Sequence, residues 1–328
     1  KINDLHLYAF PVRGNGTFLS QELPSPEASN MLNEKVASYK LQIKPGTYRV
    51  YVVANMKDVL DVNSITTEDY LKKVVLGYTP VSKPGMPVAN KIPMIYEPDT
   101  KAADGTIVDG TITIKNTDTT PQTVMANLKF TCVKVCLNLI YNPEDPDMNA
   151  ALKSNGLQIT DIMGKRLSPQ TSLLWDGKFN VSEAYAKGIE PTLYDATSHT
   201  GSGAYYTSWT ETPANANVNN EDIIKVKGEG VAAPATPKEK WLFRATYYLP
   251  ERYVAEASQQ SALKVGGAVG GSAIANSYNI NLGHRKDESS TTEIPTFPRG
   301  TYYEIVGRIK SLGNIDLDCV VGVKDWQM

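Results

Sequence analysis

Cysteine is scarce in this chain: Cys132, Cys136 and Cys319 are the only three among 328 residues. The first two fall four apart in what reads as a strand, where a rise of about 3.3 Å per residue sets them roughly 13 Å apart, too far for a disulfide. Buried free thiols are the expected state, and the cysteines leave the cellular compartment open. Histidine is as scarce. His6 falls in a strand pattern, His199 and His284 in polar, loop-like stretches, and none stands beside a cysteine or a second histidine at metal-ligand spacing. No run approaches the length of about 18 apolar residues that a membrane-spanning helix needs. An excess of positive charge is missing too, since 33 Lys and Arg stand against 35 Asp and Glu for a net charge of −2. That balance gives no basic face for nucleic acid or anionic lipid, so neither is an expected partner.

Catalytic patterns are also wanting. There is no Gly-x-Ser-x-Gly elbow for a serine hydrolase. The glycine cluster KVGGAVGGSA, Lys264 to Ala273, lacks the Gly-Lys-Ser/Thr ending of a phosphate loop and the Gly-x-Gly-x-x-Gly spacing of a dinucleotide turn. It reads as a flexible loop between strands. The acidic stretch NPEDPDMN, Asn142 to Asn149, has oxygen ligands for a hard cation but not the spacing of a calcium loop. No catalytic, metal or cofactor constellation assembles from this inventory, and an enzyme is not expected.

What is present is strand pattern. Tyrosine outnumbers phenylalanine 18 to 6, which suits strands whose ring edges reach water. INDLHLYAFPV alternates Leu5, Leu7 and Ala9 against His6, Tyr8 and Phe10 and is expected to end at Pro11. KPGTYRVYVVAN opens on a turn signal and stops at Asn55; Tyr48, Val50, Val52 and Ala54 are its apolar set, and Thr47, Arg49, Tyr51, Val53 and Asn55 form a mixed one. SITTEDYLKKVVLG has a start signal at Thr66 or Thr67, acids in its first turn and Lys72 and Lys73 near its end, and reads as a helix. The polar stretch between the first two strands has loop composition with at most one short helix.

The segment TVMANLKFTCVKVCLNLIYN carries the longest apolar strand signal, with a phase change inside it. Leu128, Phe130 and Cys132 share one parity; Val133, Val135, Leu137 and Leu139 share the other. A β-bulge or a strand bending between two packed sheets produces such a switch. NPEDPDMN is the best linker candidate, and all four Trp (Trp175, Trp209, Trp241, Trp326) lie beyond it. The expected organisation is therefore two all-β domains, 1–145 and 146–328, each a β-sandwich, with one or two short helices.

Four stretches taken in order resemble the fimbrillins, the major fimbrial subunit (type V pilin) family of Bacteroidales-type bacteria. They are INDLHLYAF, PGTYRVYVVAN followed by a helix, NLKFTCVKVCLNLI, and the ending PRGTYYEIVGRIKSLGNIDLDCVVGVKDW with its near-terminal Trp. The resemblance implies two sandwiches of transthyretin-like topology and a lipoprotein precursor, exported to the cell surface, whose lipid anchor belongs to the precursor only. A protease then removes an N-terminal strand. On that reading Lys1 follows the processing site or a trimmed end. The removal opens a groove in the N-terminal domain, which a C-terminal segment of the next subunit fills, building a fimbrium for adhesion and biofilm formation.

The residues are compatible with that scheme on their own terms. A sheet that has lost a strand exposes unpaired backbone groups and an apolar stripe, and an added strand restores both. Ile315, Leu317, Cys319, Val321 and Val323 alternate with Asp316, Asp318, Val320, Gly322 and Lys324, a donor pattern of period two. Leu5, Leu7, Val50 and Val52 are the groove candidates. The same terminal strand is equally able to pair within its own domain, and the two states are not exclusive. Head-to-tail insertion of this kind need not close and so makes filaments of identical or related subunits. Two other functions remain open at this stage. One is a tip or minor fimbrial adhesin that binds a glycan or host protein, with Tyr205, Tyr206 and Trp209 suited to sugar stacking; the other is a secreted binding module.

Overall fold

The computed structural model describes residues 2–26, 31–33, 36–77, 92–98, 110–141, 157–174, 187–196, 206–210, 240–254, 256–269, 272–273, 277–285, 293–294, 296, 298–309 and 317–325. From the N-terminus, β1 (Leu5–Arg13) turns back as β2 (Leu19–Leu23), followed by a small hairpin of β3 (Met31–Asn33) and β4 (Val36–Ala37) and then by β5 (Gly46–Ala54). The helix α1 (Glu68–Lys72) leads into β6 (Val75–Gly77), and β7 (Met94–Tyr96), β8 (Ile112–Ile114) and β9 (Lys129–Phe130) complete the first part. A six-stranded sheet runs in the order β2-β1-β5-β7-β9, with β8 also paired to β5.

The mixed face of β5 is explained by what lies on it. Tyr8 sits opposite Tyr51 and Phe10 opposite Arg49, and this face is covered by the segment that follows β5. The Tyr8 hydroxyl donates to the Val62 carbonyl at 2.7 Å. Arg49 Nη1 donates to Glu68 Oε2 at 2.8 Å and the Tyr51 hydroxyl to Glu68 Oε1 at 2.8 Å. The polar residues of β5 are thus the docking points of α1, whose start is capped by Thr67 Oγ1 accepting from the Tyr70 amide. The helix is shorter than the sequence pattern suggests, because Val75–Gly77 is drawn off into strand pairing with the second part of the chain.

Burial alone would raise the Glu68 carboxyl. Hydrogen bonds from Lys72 and Tyr51 and the charges of Lys72 and Arg49 outweigh it and hold the pKa below its ordinary value. A folded-state pKa below the unfolded one means that the contribution is present at neutral pH and is lost as pH falls through the folded value. Glu68→Gln is expected to cost about 1–2 kcal/mol at pH 7 and much less at pH 3. Urea midpoints of both proteins across that range check it; parallel pH curves would contradict the network.

β5 stops where Asn55 takes a left-handed φ of 57°, a conformation asparagine tolerates better than most residues. Its side chain accepts from the Asn3 amide at 2.7 Å and donates to the Ile92 carbonyl at 2.9 Å. At the other end β1 does not stop at Pro11. It continues to Arg13 through a register shift, the position at which a residue without an N–H is tolerated in a strand. The polar stretch between β1 and β5, expected to be loop or short helix, contains β2, β3 and β4.

At Thr131 the chain leaves this sheet. Thr131 donates twice to the Pro93 carbonyl, from N at 3.0 Å and from Oγ1 at 3.1 Å. β10 (Cys132–Tyr141) then runs through the middle of a second sheet. The remaining strands are β11 (Leu157–Lys165), β12 (Gln170–Ser172), β13 (Thr192–Asp195), β14 (Tyr206–Thr210), β15 (Lys240–Pro250), β16 (Ser261–Val269), β17 (Ser272–Ala273), β18 (Tyr278–Leu282), β19 (His284–Arg285), β20 (Glu293–Ile294), β21 (Thr301–Ile309) and β22 (Leu317–Asp325). One five-stranded sheet has the order β14-β15-β10-β21-β22 and the other β13-β11-β16-β17, with β18 on β16.

The parity switch in the sequence is therefore the bend between sheets. Val133, Val135, Leu137 and Leu139 lie beside Leu249, Tyr247, Ala245 and Phe243 of β15, and all eight are buried. Ile162, Leu193, Leu263, Val265 and Leu282 of the other sheet are buried as well. The Tyr194 ring meets Phe243 at 4.8 Å between centroids. These two sheets form a sandwich, and the chain is all-β as expected. β10 was assigned from sequence to the 1–145 unit; its partners on both sides, β15 and β21, come from beyond residue 240. The linker candidate NPEDPDMN lies outside the described residues.

In its described residues the glycine cluster at Lys264 is strand and not loop. Residues 264–269 are the last six of β16, paired with β11. β11 bulges between Ile159 and Asp161, and a Cβ on Gly266 would clash with the Asp161 carboxylate. Glycine is needed there for close approach, not for flexibility.

Candidate functional site

The two elements singled out for assembly are found in different sheets. β22 carries Leu317, Cys319, Val321 and Val323 in one alternating row; Ile315 lies outside the described residues. Its nine residues pair with β21 without a break, from Thr301↔Asp325 to Ile309↔Leu317. That register sets Val323 opposite Tyr303, Val321 opposite Ile305 and Cys319 opposite Gly307, continuing the row of Val135, Leu137 and Leu139 on β10. Among the described residues β22 is a terminal strand, paired on one side only. The donor candidate is at home, at the edge of its own sheet.

The groove candidates share one face of the N-terminal sheet. Leu7 lies opposite Val52, Leu5 opposite Ala54 and Ala9 opposite Val50. Leu5, Leu7 and Val52 are only 4%, 7% and 7% exposed, and Val50 is half-buried. The row is already largely covered. Beside it, β2 is the outermost strand of the sheet, with Ser20, Gln21 and Glu22 exposed.

His6 ties these two strands. Its Nε2 is 2.7 Å from Ser20 Oγ, and burial pushes the imidazole pKa down despite the nearby Glu22 and Asp4. A neutral ring is therefore the native form near pH 7. Cys132 and Cys136 are buried free thiols, and burial pushes the Cys132 thiol pKa up, away from the nucleophilic thiolate. Among the described residues, no three His, Cys, Asp or Glu side chains are grouped as a metal site. The β2 and β22 edges and the apolar rows beside them offer backbone hydrogen bonding and burial of apolar surface.

Sequence reasoning did not find β14 as the opposite edge of the β22 sheet, nor the buried ion pair between Glu251 and Arg299. The parity change at Thr131 was the available signal for the sheet switch. Nothing local marks a pair that lies 48 residues apart.

No family model matches the chain, and neither does any curated protein. Among solved structures, the chain superposes on a fimbrilin from Porphyromonas gingivalis with a TM-score of 0.54 at 12% identity, over 99% of this chain and 91% of that one. The tip fimbrial protein Mfa3 from the same organism, in a C-terminally truncated form, gives 0.50 at 13% identity over 99% and 95%. A candidate cell adhesion protein from Bacteroides eggerthii gives 0.51 at 15% identity over 99% and 89%. The chain thus has the fold of these fimbrial and adhesion proteins along nearly its whole length.

Proposed function

We propose that the chain is a structural subunit of a cell-surface fimbrium, a fimbrillin-type pilin joined to identical or related subunits by β-strand addition. The observation that carries this reading is β22. A nine-residue, alternating strand at a sheet edge leaves its sheet by breaking contact with one neighbour, β21, while β14, β15, β10 and β21 stay paired. The face holding Leu5, Leu7, Val50 and Val52 is the proposed receiver, once whatever covers it has moved. The whole-length fold likeness to a fimbrilin supports the reading. The sequence resemblance to the fimbrillins, not the fold likeness, is what supports reading the precursor as an exported lipoprotein. We further place the boundary between the two domains near Thr131, where the chain changes sheets, rather than near residue 145.

The likeness to a tip fimbrial protein favours a second reading, an adhesin at the fimbrial tip. A tip subunit has no need to donate a strand, and β22 is the feature that argues for the shaft. Treatment of the full-length precursor with a trypsin-like protease is expected to yield filaments visible by electron microscopy. Failure to polymerise after cleavage, together with specific glycan binding, overturns the shaft reading in favour of the tip.

A further inference from the structure

Glu251 directly follows β15, Arg299 stands two residues before β21, and Thr171 is the middle residue of β12. All three are buried, at 0%, 5% and 1% exposure. Arg299 Nε donates to Glu251 Oε1 at 2.8 Å and Oε2 at 2.7 Å, and Nη2 also contacts Oε1. Nη2 donates to Thr171 Oγ1 at 3.0 Å and to the Ser172 carbonyl, and Nη1 donates to the Leu173 carbonyl at 2.9 Å. The Thr171 hydroxyl donates to Glu251 Oε1, and the Tyr253 hydroxyl lies 3.3 Å from Oε2.

Both carboxylate oxygens and all three guanidinium nitrogens are therefore engaged. This is the condition under which a buried ion pair is tolerated, and removing one partner leaves a stranded charge. The cluster grips β12, the strand that crosses to the N-terminal part. Thr171 pairs with Leu76 of β6 and Ser172 with Val75, and the Leu173 amide donates to the Val74 carbonyl at 2.9 Å. Leu71, Leu76, Leu173 and Leu174 are buried around this crossing. Next to Arg299, the Gly300 amide donates to the Cys132 carbonyl at 3.0 Å, one residue past the sheet switch. A pairing of two three-residue strands is too short to persist unaided; here a guanidinium fork supports it from the C-terminal part.

The geometry points to the Glu251–Arg299–Thr171 cluster as a junction lock, which fixes β12 for pairing with β6 and makes the two parts of the chain unfold as one cooperative unit. The inference does not depend on the filament reading. In Arg299→Met, the amides of residues 74–77 and 171–173 are expected to exchange with solvent at least about 100-fold faster than in the native chain. Central amides of β1 and β5 lose the coupling but keep their own sheet, and should accelerate by a clearly smaller factor than those at β6 and β12, about 10-fold or less. Urea unfolding should separate into a fluorescence transition, reported by Trp residues that all lie at 175 or later, and a distinct one followed by exchange in β1 and β5. Should Arg299→Met not fold, Thr171→Val decides the matter: it removes one donor and one acceptor from the cluster, and an increase of about 10-fold at the same amides is expected. Lys165→Met, which removes a partly exposed pair with Glu190, serves as the control and should leave them unchanged. Unchanged protection at β6 and β12, or a rise that is uniform along the whole chain, would overturn the lock.

Discussion

Removing the residues after Leu312 is expected to abolish filament assembly and to leave the N-terminal sheet folded. The truncation deletes β22, whose strand pairing is with β21 alone among the described residues, and with it the proposed donor. None of β1, β2, β5, β7, β8 or β9 pairs with it, so hydrogen exchange in β1 and β5 should match the intact chain. The cost falls on the C-terminal sandwich, where β21 becomes an edge and the buried Tyr303 and Ile305 lose the neighbouring row. Exposed edges of this kind invite non-specific association, so assembly must be scored as ordered filaments by electron microscopy and not as turbidity. Filaments of normal form from the truncated chain would remove β22 from the assembly mechanism.

The largest stability effect is expected in the middle of β10. Leu137 is fully buried between Ala245 of β15 and Ile305 of β21. Leu137→Ala removes buried methyl groups from the central strand of a five-stranded sheet, where neighbours on both sides hinder collapse into the space. A loss of about 3–5 kcal/mol is expected, a large share of the roughly 5–15 kcal/mol that holds a domain folded. Chemical denaturation followed by tryptophan fluorescence measures it. A loss below about 1 kcal/mol would mean that β10 is not the central strand described.

These expectations divide according to what a sequence can carry. Strands were legible because a half-buried strand must alternate: β1, β5, β15, β21 and β22 lie where their apolar rows predicted. The start of α1 was legible from Thr67, Glu68 and Asp69, which act through local capping and the helix dipole. Pairing was not legible. Leu128 to Leu139 announced a break by parity, but parity is the same for a bulge and for a change of sheet, and the deciding contact, Thr131 with Pro93, spans 38 residues. Gly266 looked like part of a loop because the bulge that requires it belongs to β11. Arg299 gave no signal in the sequence, since Glu251 and Thr171 are distant from it along the chain. On the assembly side, the alternation of β22 predicted a strand able to be donated, and the structure shows it in its home register. Leu5, Leu7 and Val52 proved to share a face, as period two requires, although their burial depends on segments that the pattern does not reveal.

The central claim is that β22 of one subunit adds to the N-terminal sheet of the next. A photo-reactive residue at Val321, in filaments assembled from a mixture of isotopically light and heavy subunits, tests it most directly. Mass spectrometry distinguishes links between chains from links within one. The account predicts mixed-isotope links from position 321 to β1, β2 or β5. Links confined to β21 of the same chain, in filaments that have formed, would contradict it.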